Sequence, residues 1–197
     1  MPPFIYLNGY PGVGKLTVAK ELCKLLPHSK VVDNHLLIDP VAAVFDRTAE
    51  EYRPLRQVLR RAVLTSIATA KSTEDVTFIF TDSQSSNSLG RSSAADYQNA
   101  AATRGSLFIP IVLTCDSEEN LKRASGGGRG SSDTKLTDLD TLRDIREKED
   151  LFRFEDDNQM DLDITCLPPS EAAAKILQHV VRVLGKVSDG EKNEILN

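Results

Sequence analysis

The segment Gly9-Tyr10-Pro11-Gly12-Val13-Gly14-Lys15 follows a short apolar run at 4–7 and leads straight into helical spacing from Leu16. This G-x-x-x-x-G-K spacing between a strand and a helix constrains the chain more than any other feature. Glycines let successive backbone N–H groups turn inward without a Cβ clash, which forms a nest for an anion. The helix start adds about half a positive charge at the same point. Lys15 is then placed to reach the outer phosphates of a polyphosphate. A loop of this kind requires a buried strand behind it and a helix in front, so the rest of the chain must supply a sheet with crossover helices.

The remaining periodicity agrees. Short apolar runs at 4–7, 30–32, 76–80, 107–114 and 162–166 predict five buried strands. Between them, Val18, Ala19, Leu22, Leu25 and Leu26 share one helical face, and Leu55, Val58, Leu59 and Ala62 share another. Thr48-x-x-Glu51 predicts a capping-box start for the second of these helices, with Pro54 limiting its first turns. A last helix opens at Ser170-Glu171 and runs to about Leu184, with Gly185 and the polar residues 186–197 read as a flexible tail. Strands alternating with helices predict an α/β fold, a parallel sheet covered on both faces. Ligands in such sheets bind beyond the carboxyl ends of the strands.

Composition sets the outer bounds. The 197 residues carry 24 basic and 29 acidic side chains, a formal net charge of -5, and are 40% hydrophobic. That suits one domain over residues 1–185. The acidic balance argues against general nucleic-acid binding, which needs a cationic face. No apolar run near the N-terminus is long enough for a signal peptide or a membrane helix, so the expectation is a soluble, cytoplasmic protein. Cys23, Cys115 and Cys166 are widely separated, lack a CxxC pair and lie in apolar stretches, and are read as reduced, buried thiols.

The pattern Gly-x-Pro-Gly-x-Gly-Lys-x-Thr from Gly9 to Thr17 resembles adenylate kinase and other nucleoside-monophosphate kinases. The polar cluster Asp33-Asn34-His35 after the second strand resembles small P-loop kinases of the shikimate and gluconate kinase type. It also resembles a poorly characterised kinase-like branch with Asn-His-Leu at this point. The resemblance implies a three-layer P-loop NTPase fold with a five-stranded parallel sheet of order 2-3-1-4-5. It implies an acceptor-binding region at about 34–72 and a lid at about 124–137. ATP is the implied nucleotide, held by Gly9, Pro11, Gly12, Val13, Gly14, Lys15, Leu16 and Thr17, with Mg2+ beside it. Leu16 stands where a hydroxyl usually ligates the cation, and by the resemblance Thr17 contacts the α-phosphate. Asp82, closing the apolar run Phe78-Ile79-Phe80-Thr81, has the form of a Walker B carboxylate. Asp82, Asp33 and Thr17 are therefore the candidate magnesium groups, partly through water.

By the same resemblance Asp33 lies near the acceptor hydroxyl, where a carboxylate takes up its proton. Asn34, His35, Arg56, Arg60 and Arg91 are candidate acceptor contacts. Arg53, Arg56 and Arg60 fall on one helical face, which is read either as a grip for an anion or as a solvated face. Asp39 reads as a cap. Arg123 and Arg129 lead the candidates for lid arginines closing on the phosphates, ahead of Arg143 and Arg146. Together these features predict transfer of the γ-phosphoryl of ATP to a small hydroxyl or phosphate acceptor. The alternatives are a nucleotide-binding protein or NTPase with weak or lost catalysis, suggested by Leu16, and a nucleic-acid-end kinase using Arg53, Arg56, Arg60 and Arg91. A GTPase would need an Asn-Lys-x-Asp motif, which the sequence lacks, and an AAA-type motor would need a further helical domain.

Overall fold

Strand β1 (Phe4–Gly9) is buried at all six positions, as a run of apolar residues without alternation must be when helices cover both faces of a sheet. The computed structural model describes residues 1–126 and 138–194, with side chains to residue 186. Around β1 lie β2 (Ser29–Asp33), β3 (Thr77–Thr81), β4 (Phe108–Thr114) and β5 (Met160–Asp163), all parallel, in the order β2-β3-β1-β4-β5. The expected order and architecture are those observed.

Two cores flank the sheet. On one face Val18, Ala19 and Leu22 of α1 (Lys15–Leu25) meet Ala172, Ala173, Ile176, Val180 and Val183 of α7 (Pro169–Glu194) over Ile5, Leu7 and Ile111. On the other face α3 (Tyr52–Thr69) and α4 (Ser88–Arg104) cover an aromatic layer of Phe4, Tyr6, Phe78, Phe80, Tyr97 and Phe108. Burying each such side chain stabilises the fold by about 1.5–3 kcal/mol. The remaining helices are α2 (His35–Ala42), α5 (Ser117–Ser125) and α6 (Leu139–Lys148).

Several boundaries differ from the sequence reading. The fifth strand covers Met160–Asp163, not 162–166, because Ile164 N already bonds Thr114 O and the Asp163 carboxylate turns the chain by accepting from Thr165 N at 2.7 Å. Cys166 is therefore exposed in a loop, while Cys115 is buried and Cys23 half-buried; all three are free thiols. The polar run after β2 is the helix α2, with Asp39 inside it and not at a cap. Helix α3 starts at Tyr52 with no side-chain cap at Glu51, so the Thr48 capping box does not form. Pro54 is tolerated there because first-turn amides need no intrahelical acceptor. Helix α4 begins inside the Ser-rich run, capped by Asn87, whose side chain accepts from Gly90 N at 2.8 Å. The backbone of α7 continues through Gly185 to Glu194, since one glycine costs only about 1 kcal/mol in a helix and no proline follows to stop it.

Tyr6 is fully buried and its hydroxyl has no hydrogen-bond partner. Burial, then the nearby Asp82 charge, raises its pKa well above the ordinary 10.0, and burial and Asp82 raise Tyr97 in the same way. The folded state keeps these phenolic protons after the unfolded chain loses them, so stability holds below pH 10 and falls as pH climbs past it. Tyr6→Phe should leave stability at pH 8 unchanged or higher by up to about 1 kcal/mol. It should also shrink the loss between pH 8 and pH 10.5 in urea unfolding curves.

Candidate active site

The loop after β1 has the geometry of an anion nest. Gly12 and Gly14 take positive φ values of 86° and 115°, and Gly14 is the N-cap of α1. These angles turn the peptide planes at the helix start. Val13 N donates to Tyr10 O and Val18 N to Gly14 O. Among the described residues, the amides of Gly12, Gly14, Leu16 and Thr17 donate to no protein acceptor. Lys15 Nζ donates to the carbonyls of Gly9 at 2.7 Å and Tyr10 at 2.8 Å, so the loop's own oxygens hold its charge at the mouth. Gly9 is required for a different reason: a Cβ there would lie 2.6 Å from Leu113 O on β4.

The loop opens on a cavity of about 1160 Å³. Of the residues expected at the nucleotide and cation sites, Pro11, Gly12, Val13, Gly14, Lys15, Leu16, Thr17, Asp33 and Asp82 line it. Asn34, His35 and Arg56 line it as well, with Arg47 beside them. Gly9 lies beneath the loop, not in the cavity wall.

Behind the cavity the polar groups are tightly paired. Asp33 Oδ1 accepts from Thr81 Oγ1 at 2.8 Å and from His35 N at 3.4 Å. Asp82 is 1% exposed, and its Oδ1 accepts from Asn34 Nδ2 at 2.7 Å, Ser83 N at 2.8 Å and Gln84 Nε2 at 2.8 Å. Asp33 and Asp82 offer the cavity the hard oxygen donors that a magnesium ion takes, and the buried Tyr97 hydroxyl also hydrogen-bonds the Asp82 carboxyl. Among the described residues no group of three His, Cys, Asp or Glu side chains gathers as a metal cage.

The arginines divide sharply. Arg56 has a buried Nε without a partner, its Nη2 lies 3.4 Å from Asn34 Oδ1, and its guanidinium sits 6.0 Å from the Tyr52 ring. Arg60 does not reach the cavity, because Asp96 of α4 captures it at 2.8 Å. Arg91 is also elsewhere: it donates to Ser86 O at 2.7 Å and lies over Phe152. Arg53 and Arg143 are exposed, the latter paired with Asp140. Arg123 is saturated by Val13 O at 3.0 Å, Ile164 O, Thr165 O and Glu119. It thus lines the cavity while bracing the loop. Arg129 lies outside the described residues.

Sequence reasoning missed the buried amides. Asn120 is fully buried, donates to Pro11 O at 2.9 Å and accepts from Arg146, whose guanidinium also covers the Tyr10 ring at 4.6 Å. Asn8 and Gln84 are likewise clamped to each other. Their partners are 76 to 109 positions away in the chain, so no local pattern marks them.

A parallel sheet of this order, with a Gly-rich nest at the end of its central strand, defines the kinase-like form of the P-loop NTPase fold. The chain belongs to the AAA domain family, whose model matches residues 5–152. No curated protein sequence matches it. Its fold is similar to a gluconokinase from Sinorhizobium meliloti, at 12% identity and TM-score 0.66 over 96% of this chain and 97% of that one. It is also similar to APS kinase from Mycobacterium tuberculosis in complex with AMPPNP and APS, at 15% identity and TM-score 0.58 over 91% and 97%. A third likeness is to shikimate kinase from Acinetobacter baumannii in complex with shikimate, at 19% identity and TM-score 0.56 over 92% and 94%.

Two glycine substitutions separate backbone strain from crowding. Gly14→Ala meets only Ile164 Cδ1 at 3.9 Å but must hold φ at 115°, and is expected to cost about 1–2 kcal/mol. Gly9→Ala must push β1 from β4 and is expected to cost about 1–3 kcal/mol. Both should weaken nucleotide binding, as read by chemical denaturation beside a nucleotide titration.

Proposed function

We propose that the chain is an ATP-dependent phosphotransferase acting on a small acceptor that carries a hydroxyl or phosphate nucleophile and an anionic group. One observation carries this reading: the unpartnered amides of the Gly12–Thr17 nest open into the same cavity as Asp33, Asp82 and Arg56. The nest and Lys15 would bind the β- and γ-phosphates, with Thr17 at the α-phosphate. Arg56, lacking a carboxylate partner, would take the acceptor's anion, and His35 would orient it. Asp33 would accept the proton of an attacking hydroxyl as its oxygen bonds to the γ-phosphorus and the bridging oxygen leaves with ADP. Asp82, Asp33 and Thr17 are the groups that would hold magnesium, partly through water, which when bound offsets the charge on the phosphate oxygens. Arg123 and Arg129 remain the arginines proposed to act at the phosphates. Arg123 would have to exchange its carbonyl contacts for phosphate oxygens to do so.

A nucleotide-binding protein without transfer activity is the second reading, favoured by Leu16, which offers no cation ligand. The nucleic-acid-end reading loses support because Arg60 and Arg91 do not line the cavity. Mass-spectrometric search for a phosphorylated product across metabolites and nucleotides, with Mg2+, separates them: nucleotide binding without any product supports the second reading, and salt-sensitive oligonucleotide binding the third.

Lys15→Ala should abolish tight ATP binding in calorimetry while the melting temperature stays within a few degrees, since it removes a charge-assisted contact and no core. Asp33→Asn should keep ATP binding and lower turnover by on the order of 10² or more. Unchanged turnover would leave Asp33 as a partner for Thr81 only.

A further inference from the structure

Resting on the nucleotide site proposed above, we infer that Asn120 is a positioning residue that fixes the Pro11–Gly12 peptide so that Gly12 N–H faces the phosphates. In a planar trans peptide the carbonyl and the N–H point in opposite directions, so holding one end aims the other.

Glycine makes such control necessary. A half-turn of a peptide plane changes ψ of the residue before it and φ of the residue after it, and a glycine in the second place accepts φ of either sign. The loop has two planes of this kind, Pro11–Gly12 and Val13–Gly14, with φ of 86° at Gly12 and 115° at Gly14. The residues that permit the nest therefore also permit its amides to turn away.

Helix α5 holds both planes by their carbonyl ends. Asn120 Nδ2 donates to Pro11 O at 2.9 Å, and Arg123 Nη1, one turn further on, donates to Val13 O at 3.0 Å. Gly12 N and Gly14 N, at the opposite ends, donate to no acceptor among the described residues, and both glycines line the cavity. The Asn120 amide has one possible orientation. Pro11 O only accepts and the Arg146 guanidinium only donates, so Nδ2 must face the loop and Oδ1 must face α6, where Arg146 Nη1 reaches it at 2.7 Å. Asn120 is fully buried, so water does not compete for either contact. Arg146 is itself fixed by Cys115 O at 3.0 Å and by the Tyr10 ring 4.6 Å away.

The sequence contains one Pro-Gly step and one Val-Gly step, at Pro11-Gly12 and Val13-Gly14. Proline or valine labelled with 13C at the carbonyl, combined with 15N-glycine, therefore gives a one-peak NMR spectrum for each plane. Saturation with ADP and Mg2+ should move both amides downfield in the wild type. Asn120→Leu keeps the branched shape and removes the donor. In that variant the Gly12 displacement should shrink while that of Gly14 stays, and ADP affinity should fall about tenfold, the loss of one hydrogen bond to a charged acceptor. Asn120→Asp keeps Arg146 as a partner but offers Pro11 O no donor, and serves if the leucine variant folds poorly. Equal Gly12 displacement in wild type and a folded variant overturns the role of Asn120. A parallel loss at Gly12 and Gly14 overturns it too, since that is the response to a general loosening of the loop. A wild type that does not bind ADP, or binds it without moving either amide, overturns the nucleotide site beneath it.

Discussion

Four backbone amides at the start of α1, those of Gly12, Gly14, Leu16 and Thr17, find no acceptor in the described protein, and much of the local structure serves to keep them so. Unpaired donors at a helix start are costly when buried and ordinary when an anion or water can reach them. Positive φ at Gly12 and Gly14 aims them, and the close approach of β4 to Gly9 leaves the loop no room to slump. Lys15 adds its charge at the mouth of the loop, donating to two of the loop's carbonyls. A carbonyl contact is readily exchanged for a phosphate oxygen, since the ammonium gains charge complementarity by the move.

The same loop is held from outside by polar groups beyond its own segment. Asn120 takes Pro11 O, Arg123 takes Val13 O, and Tyr10 donates to Glu149 O at 2.8 Å beneath the Arg146 guanidinium. These braces come from α5 and from α6 and its end, the two helices that flank residues 127–137 in sequence. Hydrogen bonds to charged donors contribute about 1.5–3 kcal/mol each, against roughly 1 for neutral pairs. Arg123 and Arg146 thus donate to main-chain carbonyls, Asn120 and Glu119, which makes them supports of the loop in this state. Any approach of these arginines to phosphate has to break such bonds, so it would be coupled to movement of the loop's flanking helices.

The sequence made legible what is contiguous. The nest is nine successive residues whose strand and helix partners are adjacent, and the five apolar runs forced crossover helices and so a parallel sheet, while its strand order followed from the family resemblance. Features that depend on distant partners were read poorly. Arg60 shares a helical face with Arg56, and only the placement of Asp96 on α4 decides that one is buried in an ion pair while the other faces the cavity. Helix α2 was hidden because Asp39-Pro40 looks like a stop, yet Pro40 falls in the last turn, where one lost amide is tolerable. The fifth strand was placed late because the apolar residues 162, 164 and 166 were weighted over the Asp163 side chain that ends it. Asn8, Asn120 and Gln84 carry no pattern at all, since an amide in a core is defined by its partner.

Leu16 is the one position at which the local motif departs from its chemistry, and the carboxylates of Asp33 and Asp82 line the same cavity. A hydroxyl on α1 would contribute one neutral ligand; an aspartate on β3 contributes a full negative charge in a setting of lower dielectric, where it acts more strongly. That charge is useful only if the carboxylate is oriented, because a freely turning group spends part of its time hydrogen-bonded elsewhere. Asp82 is oriented by Asn34 from the β2 end, by its own chain at Ser83, and by Gln84 anchored on β1 and residue 152. Three strands of the sheet thus converge on one carboxylate, which the buried Tyr97 hydroxyl also reaches. The fixed negative charge of this cavity therefore comes from the ends of β2 and β3, and not from the helix that starts the phosphate loop.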